Sequence, residues 1–315
     1  MDPLLCVNYR MKPFTDLYDK ELYEDIKLEY NKKILYESYG LSDEVLNKAK
    51  DIIKHITYDI KNNKKSNKDE YGRYVIDNQY VTNLSENHTL IIKYKCIYFI
   101  DKLDYLENLK NYELIYTENN INDDEIEIVL TIPIAGNKIP VKYFNEPLYH
   151  ELTHAYESIK RGGGFFGSEE NANYYYNLTK DIMENNGDSK YIKVARCIYA
   201  CYKFERNAFL HSIYSYLIQY NTLETSYLYD KFKESAQYSY LLDIKQVIDY
   251  PKYYEKEIKE LTGQNYETFK KYIEKQYKKY ISSIGKIMQR IVIDNMGNIP
   301  KNQFNDIDDI LNDII

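Results

Sequence analysis

The alternation of apolar and polar positions changes character twice along the chain. Over residues 14–63 apolar residues recur at roughly helical spacing, with Leu17, Leu22 and Ile26, then Leu28 to Ile34 and Leu35. Gly40-Leu41-Ser42-Asp43 interrupts that period. Two helices are therefore expected, with Ser42 as the N-cap of one running to about Asn62. KNNKKSNKDE, 61–70, is polar throughout and reads as a connector. Short β-rich runs follow: YGRYVI, HTLIIKYKCIYFI, YELIYT and EIEIVLTIPI, parted by polar turns such as TENNINDD. Ala135-Gly136-Asn137-Lys138 reads as a hairpin turn leading into IPVKYF. Beyond residue 145 the pattern is helical again. Helices are expected at 146–160, 168–186, 190–221, 252–262 and 264–293, with a short acidic helix or fraying tail in NDIDDILNDII. Helices, then strands, then helices, with no internal repeat, is the order of an α+β fold rather than of βαβ units. By pattern the chain divides into a helical N-terminal region (1–65), a core (66–222) and a helical C-terminal region (223–315).

Composition narrows the function classes. The chain has 315 residues, 44% of them hydrophobic, enough for a sizeable core. A net charge of −7 argues against a generic nucleic-acid binder, which needs a basic footprint, and no nucleic-acid partner is expected. KKYIEKQYKKY, 270–280, interleaves Lys and Tyr and could touch nucleic acid, but its lysine spacing is that of a solvated helix face. No apolar run reaches the ~18 residues of a membrane span, and MDPLLCVNYR lacks the marks of a signal peptide. Four cysteines without a CxxC pair argue against a disulfide framework and fit a reducing compartment. Tyr is very frequent (38) and Trp absent, alongside much Asn, Lys and Ile. That bias is what an AT-rich genome imposes, such as that of a phage of a low-GC host or of a clostridium-like bacterium.

The chemistry concentrates in YHELTHAYE, 149–157. Positions i and i+4 of a helix stack on one face, so His150 and His154 can bind one metal ion, while Glu151 stands beside them as a base for a metal-activated water. Asn145 is placed as N-cap and Pro147 in the first turn. Leu148, Leu152, Ala155 and Ile159 form the opposite, apolar face. A zinc site of this kind needs a third protein ligand. Drawn as one continuous helix, YIKVARCIYACYKFERNAFLHSIYSYL puts Glu205 in an apolar stripe with Val194, Ile198, Cys201, Tyr202, Ala208, Phe209 and Tyr216. Arg196, Lys203, Asn207 and Tyr214 face the other way. A carboxylate in such a stripe is costly unless it is paired or bound to metal. Two readings follow: Glu205 is a Zn²⁺ ligand, or it is half of a buried salt bridge. Glu157, Glu169, Glu170 and Cys201 are weaker candidates for the same role. Arg161–Gly167, RGGGFFG, follows no strand and lacks GK[ST], so it reads as a loop or lid rather than a phosphate cradle.

His150-Glu151-x-x-His154 followed by Glu205-Arg206-Asn207-Ala208 resembles the gluzincin pattern, in which a later helix supplies a glutamate. The likeness extends to zincin-like metallopeptidases of tailed phages, including crAss-like phages, and covers roughly residues 125–220. A metzincin would instead need Gly at Glu157 and His or Asp at Lys160. The resemblance implies a zincin-like core and Zn²⁺ held by His150, His154 and Glu205. It also implies Glu151 as general base in peptide-bond hydrolysis, and EIEIVLTIPI as an edge strand receiving an extended substrate. The expected activity is that of a zinc metalloendopeptidase, phage-encoded, acting on a protein or peptide in an infected cell or virion. Other virion proteins are expected as partners. The alternatives are a structural virion (tail or collar) protein carrying a zincin domain of little or no activity, or a toxin protease.

Overall fold

The computed structural model describes residues 22–27, 42–62, 67–99, 119–121, 125–135, 141–160, 177–179, 181–183 and 187–296. Strands and helices are both present, with helix predominating, so the α+β class expected from the pattern is observed. Contacts divide the chain into two units. One unit includes Leu41–Tyr175; the other includes Tyr9–Gly40 and Tyr176–Ile315.

The first unit is a sheet with helices. Helix α1 (Asp43–Asn62) opens where Ser42 was expected to cap it, and the Ser42 carbonyl accepts from the Leu46 N–H at 3.0 Å. Strands β1 (Asn67–Lys68), β2 (Tyr74–Asn83), β3 (Thr89–Phe99), β4 (Asn119–Ile121) and β5 (Glu125–Ala135) lie in the order β1-β2-β3-β5-β4. β2 and β3 form an antiparallel hairpin, β3 and β5 pair in parallel, and β4 returns antiparallel to β5. Period-two burial explains the register. Leu90, Ile92, Tyr94 and Cys96 of β3, and Ile126, Ile128, Leu130, Ile132 and Ile134 of β5, are all buried. Lys93 and Glu127, on the other face, are joined at 2.6 Å.

Helix α1 is tied to β2 and β3. The Asn78 amide donates to Asp59 Oδ2 at 2.7 Å, the Tyr94 hydroxyl donates to the same oxygen, and His55 stacks on Tyr80. The turn between β1 and β2 is closed by Asp69. Its Oδ1 accepts from the backbone N–H of Tyr71 (3.0 Å) and Arg73 (2.8 Å), and its Oδ2 pairs with the Arg73 guanidinium at 2.7 Å. Gly72, at φ +76°, supplies the left-handed residue this turn needs.

Helix α2 (Val141–Lys160) follows β5 and packs against α1. It starts five residues earlier than expected. Asn145 is therefore not its N-cap, and Pro147 lies inside the helix rather than in its first turn. The VKYF of the expected strand IPVKYF is helical. Strand YELIYT, the loop RGGGFFG and tail NDIDDILNDII lie outside the described residues, as does most of the expected helix 168–186, of which 177–179 and 181–183 are helical.

The second unit is helical: α3 (Ser189–Cys201), α4 (Lys203–Leu217), α5 (Thr225–Phe232), α6 (Ala236–Asp249), α7 (Glu255–Thr262) and α8 (Tyr266–Met296). The single helix expected over 190–221 is broken at Tyr202, whose extended backbone (φ −60°, ψ 135°) ends α3 and begins α4. Helices α5 and α6 were not anticipated. Asp188 caps α3 through a 2.8 Å bond from the Lys190 N–H, and Gly263 in the left-handed region ends α7. A buried ion pair, Arg196–Asp243 at 2.9 Å, joins α3 to α6. Its guanidinium also donates to Ser239 and lies over the Tyr240 ring. Arg196 and Tyr214, expected on the polar face, are thus buried: one is paired, and the other donates to Asp294 at 2.8 Å. Among the described residues, no helix is long and apolar enough to cross a membrane.

Candidate metal centre

The two histidines stand on the middle of α2. Leu148, Leu152 and Ala155 are fully buried, and Ile159 is half-buried, so the expected apolar face does anchor this helix. Burial extends further round than an amphipathic stripe would: Tyr149, Thr153, Tyr156 and Ser158 are covered too. Burial raises the Tyr149 phenol to about 12, so it stays neutral at ordinary pH. The Thr153 hydroxyl is turned back onto the Tyr149 carbonyl at 2.7 Å.

His154 is buried and His150 half-buried. Their Nε2 atoms approach to 3.0 Å, with ring centroids 4.6 Å apart and planes at 87°. Both nitrogens thus converge on one point, as the i, i+4 spacing dictates. Glu151, next along the helix, is half-buried.

Glu205 sits in the first turn of α4, three residues past the break at Tyr202, and is completely buried. Helix phase predicts the burial; the place in a first turn follows from the break, which a continuous helix would not have. The first turn of a helix is where a carboxylate is favoured, because unsatisfied N–H groups give that end partial positive charge. Two phenols of the same unit feel its charge. Burial pushes the Tyr280 phenol well above its ordinary range, and Glu205 adds to the shift. Tyr240 is raised by burial first, with Glu205 contributing against the opposing pull of Arg196. Neither tyrosine could be singled out in a chain with 38 of them.

His150, His154 and Glu205 form a group able to hold a metal ion: each offers one ligand atom, and these atoms all lie within 4.8 Å of one another. Two imidazoles and a carboxylate suit a borderline divalent cation. Among the described residues Glu157 is outside this group, and Glu169 and Glu170 are not described. Cys197 and Cys201 are buried, and burial raises both thiols, Cys201 to about 12; they are core residues of α3. Of the tyrosines sharing Glu205's stripe, Tyr202 stacks on Phe204, and the Tyr216 hydroxyl accepts from Tyr220 and donates to Glu234. The strand expected to be a sheet edge, β5, is second from the edge. β4 pairs with its residues 126–128, because a short antiparallel return precedes it. Comparison of the chain with family models, with curated proteins and with solved structures gave no match.

Proposed function

We propose that the chain is a zinc-dependent metalloendopeptidase, with His150, His154 and Glu205 as metal ligands and Glu151 as general base. The observation that carries this reading is the clustering of ligand atoms from two histidines and a completely buried glutamate. The same donor set would also suit ferrous iron in an oxygenase-type site. What favours zinc and hydrolysis is Glu151, a carboxylate fixed next to His150 that an oxidative site does not require.

Zinc bound there would supply Lewis acidity, polarising a scissile carbonyl and making a water molecule easier to deprotonate. Glu151 takes the proton from the attacking water and returns it to the leaving nitrogen, so one carboxylate serves as base and then as acid. A zincin-like core is the architecture that fits these roles. A virion or host protein of an infected cell is the substrate class that the resemblance to phage metallopeptidases suggests.

Metal analysis and peptide cleavage test the proposal together. About one zinc per chain is expected, lost in His150→Ala, while Glu151→Gln keeps the metal and loses cleavage by at least about 100-fold, the lower end of the range for removing a general base. Iron in place of zinc would overturn it. So would wild type and Glu151→Gln that bind zinc but are equally inert on broad peptide libraries. That second outcome favours the structural reading, in which the helical second unit serves assembly with other virion proteins.

A further inference from the structure

The second unit carries an open groove of about 810 Å³ between α4 and α8. Arg206 lies on one wall, and Lys271, Lys275, Lys278, Lys279 and Lys286 on the other. Those lysine positions recur at three- and four-residue spacing, so they occupy one face of α8 and advance about 5.4 Å with each turn. The opposite face of α8 is spent on packing, with Ile273, Tyr277, Tyr280, Ile284 and Ile287 buried. Glu274 is the one acid in the lining. Among the described residues none of these five lysines makes an ion pair; the nearby Lys270 takes Glu274, at 3.7 Å. Arg206 is held by a 2.5 Å bond to Gln276 and has further N–H groups to offer.

This concentration of positive charge occurs in a chain whose net charge is −7, so it is not the by-product of a basic composition. A peptide-binding groove needs apolar anchors, and Leu210 is the sole apolar side chain in the lining. The remaining positions, Asn207, Ser282 and Ser283, are hydrogen-bond donors of the kind that contact phosphate. A bilayer presents a flat charged plane, whereas this surface is concave and linear. We infer that the α4–α8 groove binds the phosphodiester backbone of a nucleic acid, without reading its sequence. The overall charge argued against such a partner because an average over the chain conceals one cationic face.

The test uses the full chain and short fluorescently labelled oligothymidylate and duplex DNA, followed by anisotropy at rising salt. Binding should weaken steeply with salt, as counterion release requires. Lys275→Glu combined with Lys278→Glu should weaken it at least about tenfold and flatten the salt dependence. Glu274→Lys should tighten it about threefold. All three positions lie on the solvent side of α8, and an unchanged circular dichroism spectrum confirms the fold. Comparison of single strand with duplex shows which form the groove takes. The inference is overturned if neither DNA binds at low salt, or if the double variant binds as wild type does. It is also overturned if poly-glutamate or anionic phospholipid vesicles bind the same lysines more tightly than either DNA.

Discussion

At the scale of single residues, the decisive one is Glu205. A fully buried carboxylate is tolerated only where something answers its charge, and its position in the first turn of α4 supplies part of that answer. A metal ion would supply a further part. Glu205→Ala should therefore lower metal affinity by more than about 100-fold, beyond what loss of an outer partner costs, as titration against a chelating indicator would show. Cys201→Ala, which alters the neighbouring core without touching a ligand, should leave the metal content at one per chain. Equal affinity in Glu205→Ala and wild type would remove Glu205 from the site. The histidine pair was legible from spacing alone, since i, i+4 on any helix brings the rings together. Glu205 was legible for a reason only partly right. Its burial was read from a continuous helical stripe, and the structure keeps the burial but breaks the helix.

At the scale of elements, that break marks the limit of pattern reading. No Gly or Pro lies between 190 and 221, so nothing local announced the extended residue at Tyr202. Nor does helical phase account for Arg196, whose burial depends on a partner, Asp243, in a separate helix, α6. Helix α2 taught the converse: Asn145 and Pro147 looked like a start signal, yet the helix had already begun at Val141. The sheet was easier, because alternation in β3 and β5 fixes which side chains turn inward. The parallel pairing was not, since it depends on where the chain returns. The Asp69 turn yields a prediction at this scale. Burial would raise the Asp69 carboxyl, but its bonds from Arg73 and Tyr71 outweigh this and hold it below 3.8. A carboxyl held lower in the folded state adds stability above the unfolded value. That stability is lost as pH falls through the folded one. Asp69→Asn keeps an acceptor for the backbone N–H groups but loses the ionic partner of Arg73. Its denaturation midpoint should lie below wild type at pH 7, and the two should converge once pH has fallen below the folded-state value of Asp69, where the wild-type carboxyl is protonated as well. A constant gap down to that pH would show that the charge on Asp69 contributes nothing.

At the scale of the whole molecule, a ligand that binds only the folded chain stabilises it by mass action. Zinc at a hundred times its dissociation constant would add about 2.7 kcal/mol. Thermal denaturation with and without a chelator should reveal this as a lower Tm after chelation, with no such difference in His150→Ala. A chelator-independent Tm in wild type would argue against a bound metal. The sheet order carries a different consequence, for the route by which the chain folds. Thr89 meets Asn83 across a short turn, but meets Glu125 only after a long connection has come back alongside β3. Closing the short loop costs little entropy and closing the long one costs more. The β2–β3 hairpin should therefore form early and wait for β5, leaving one side of β3 open to other chains in the interval. The hazard for this protein during synthesis is thus aggregation along β3, and dilution or slower translation is the condition that relieves it.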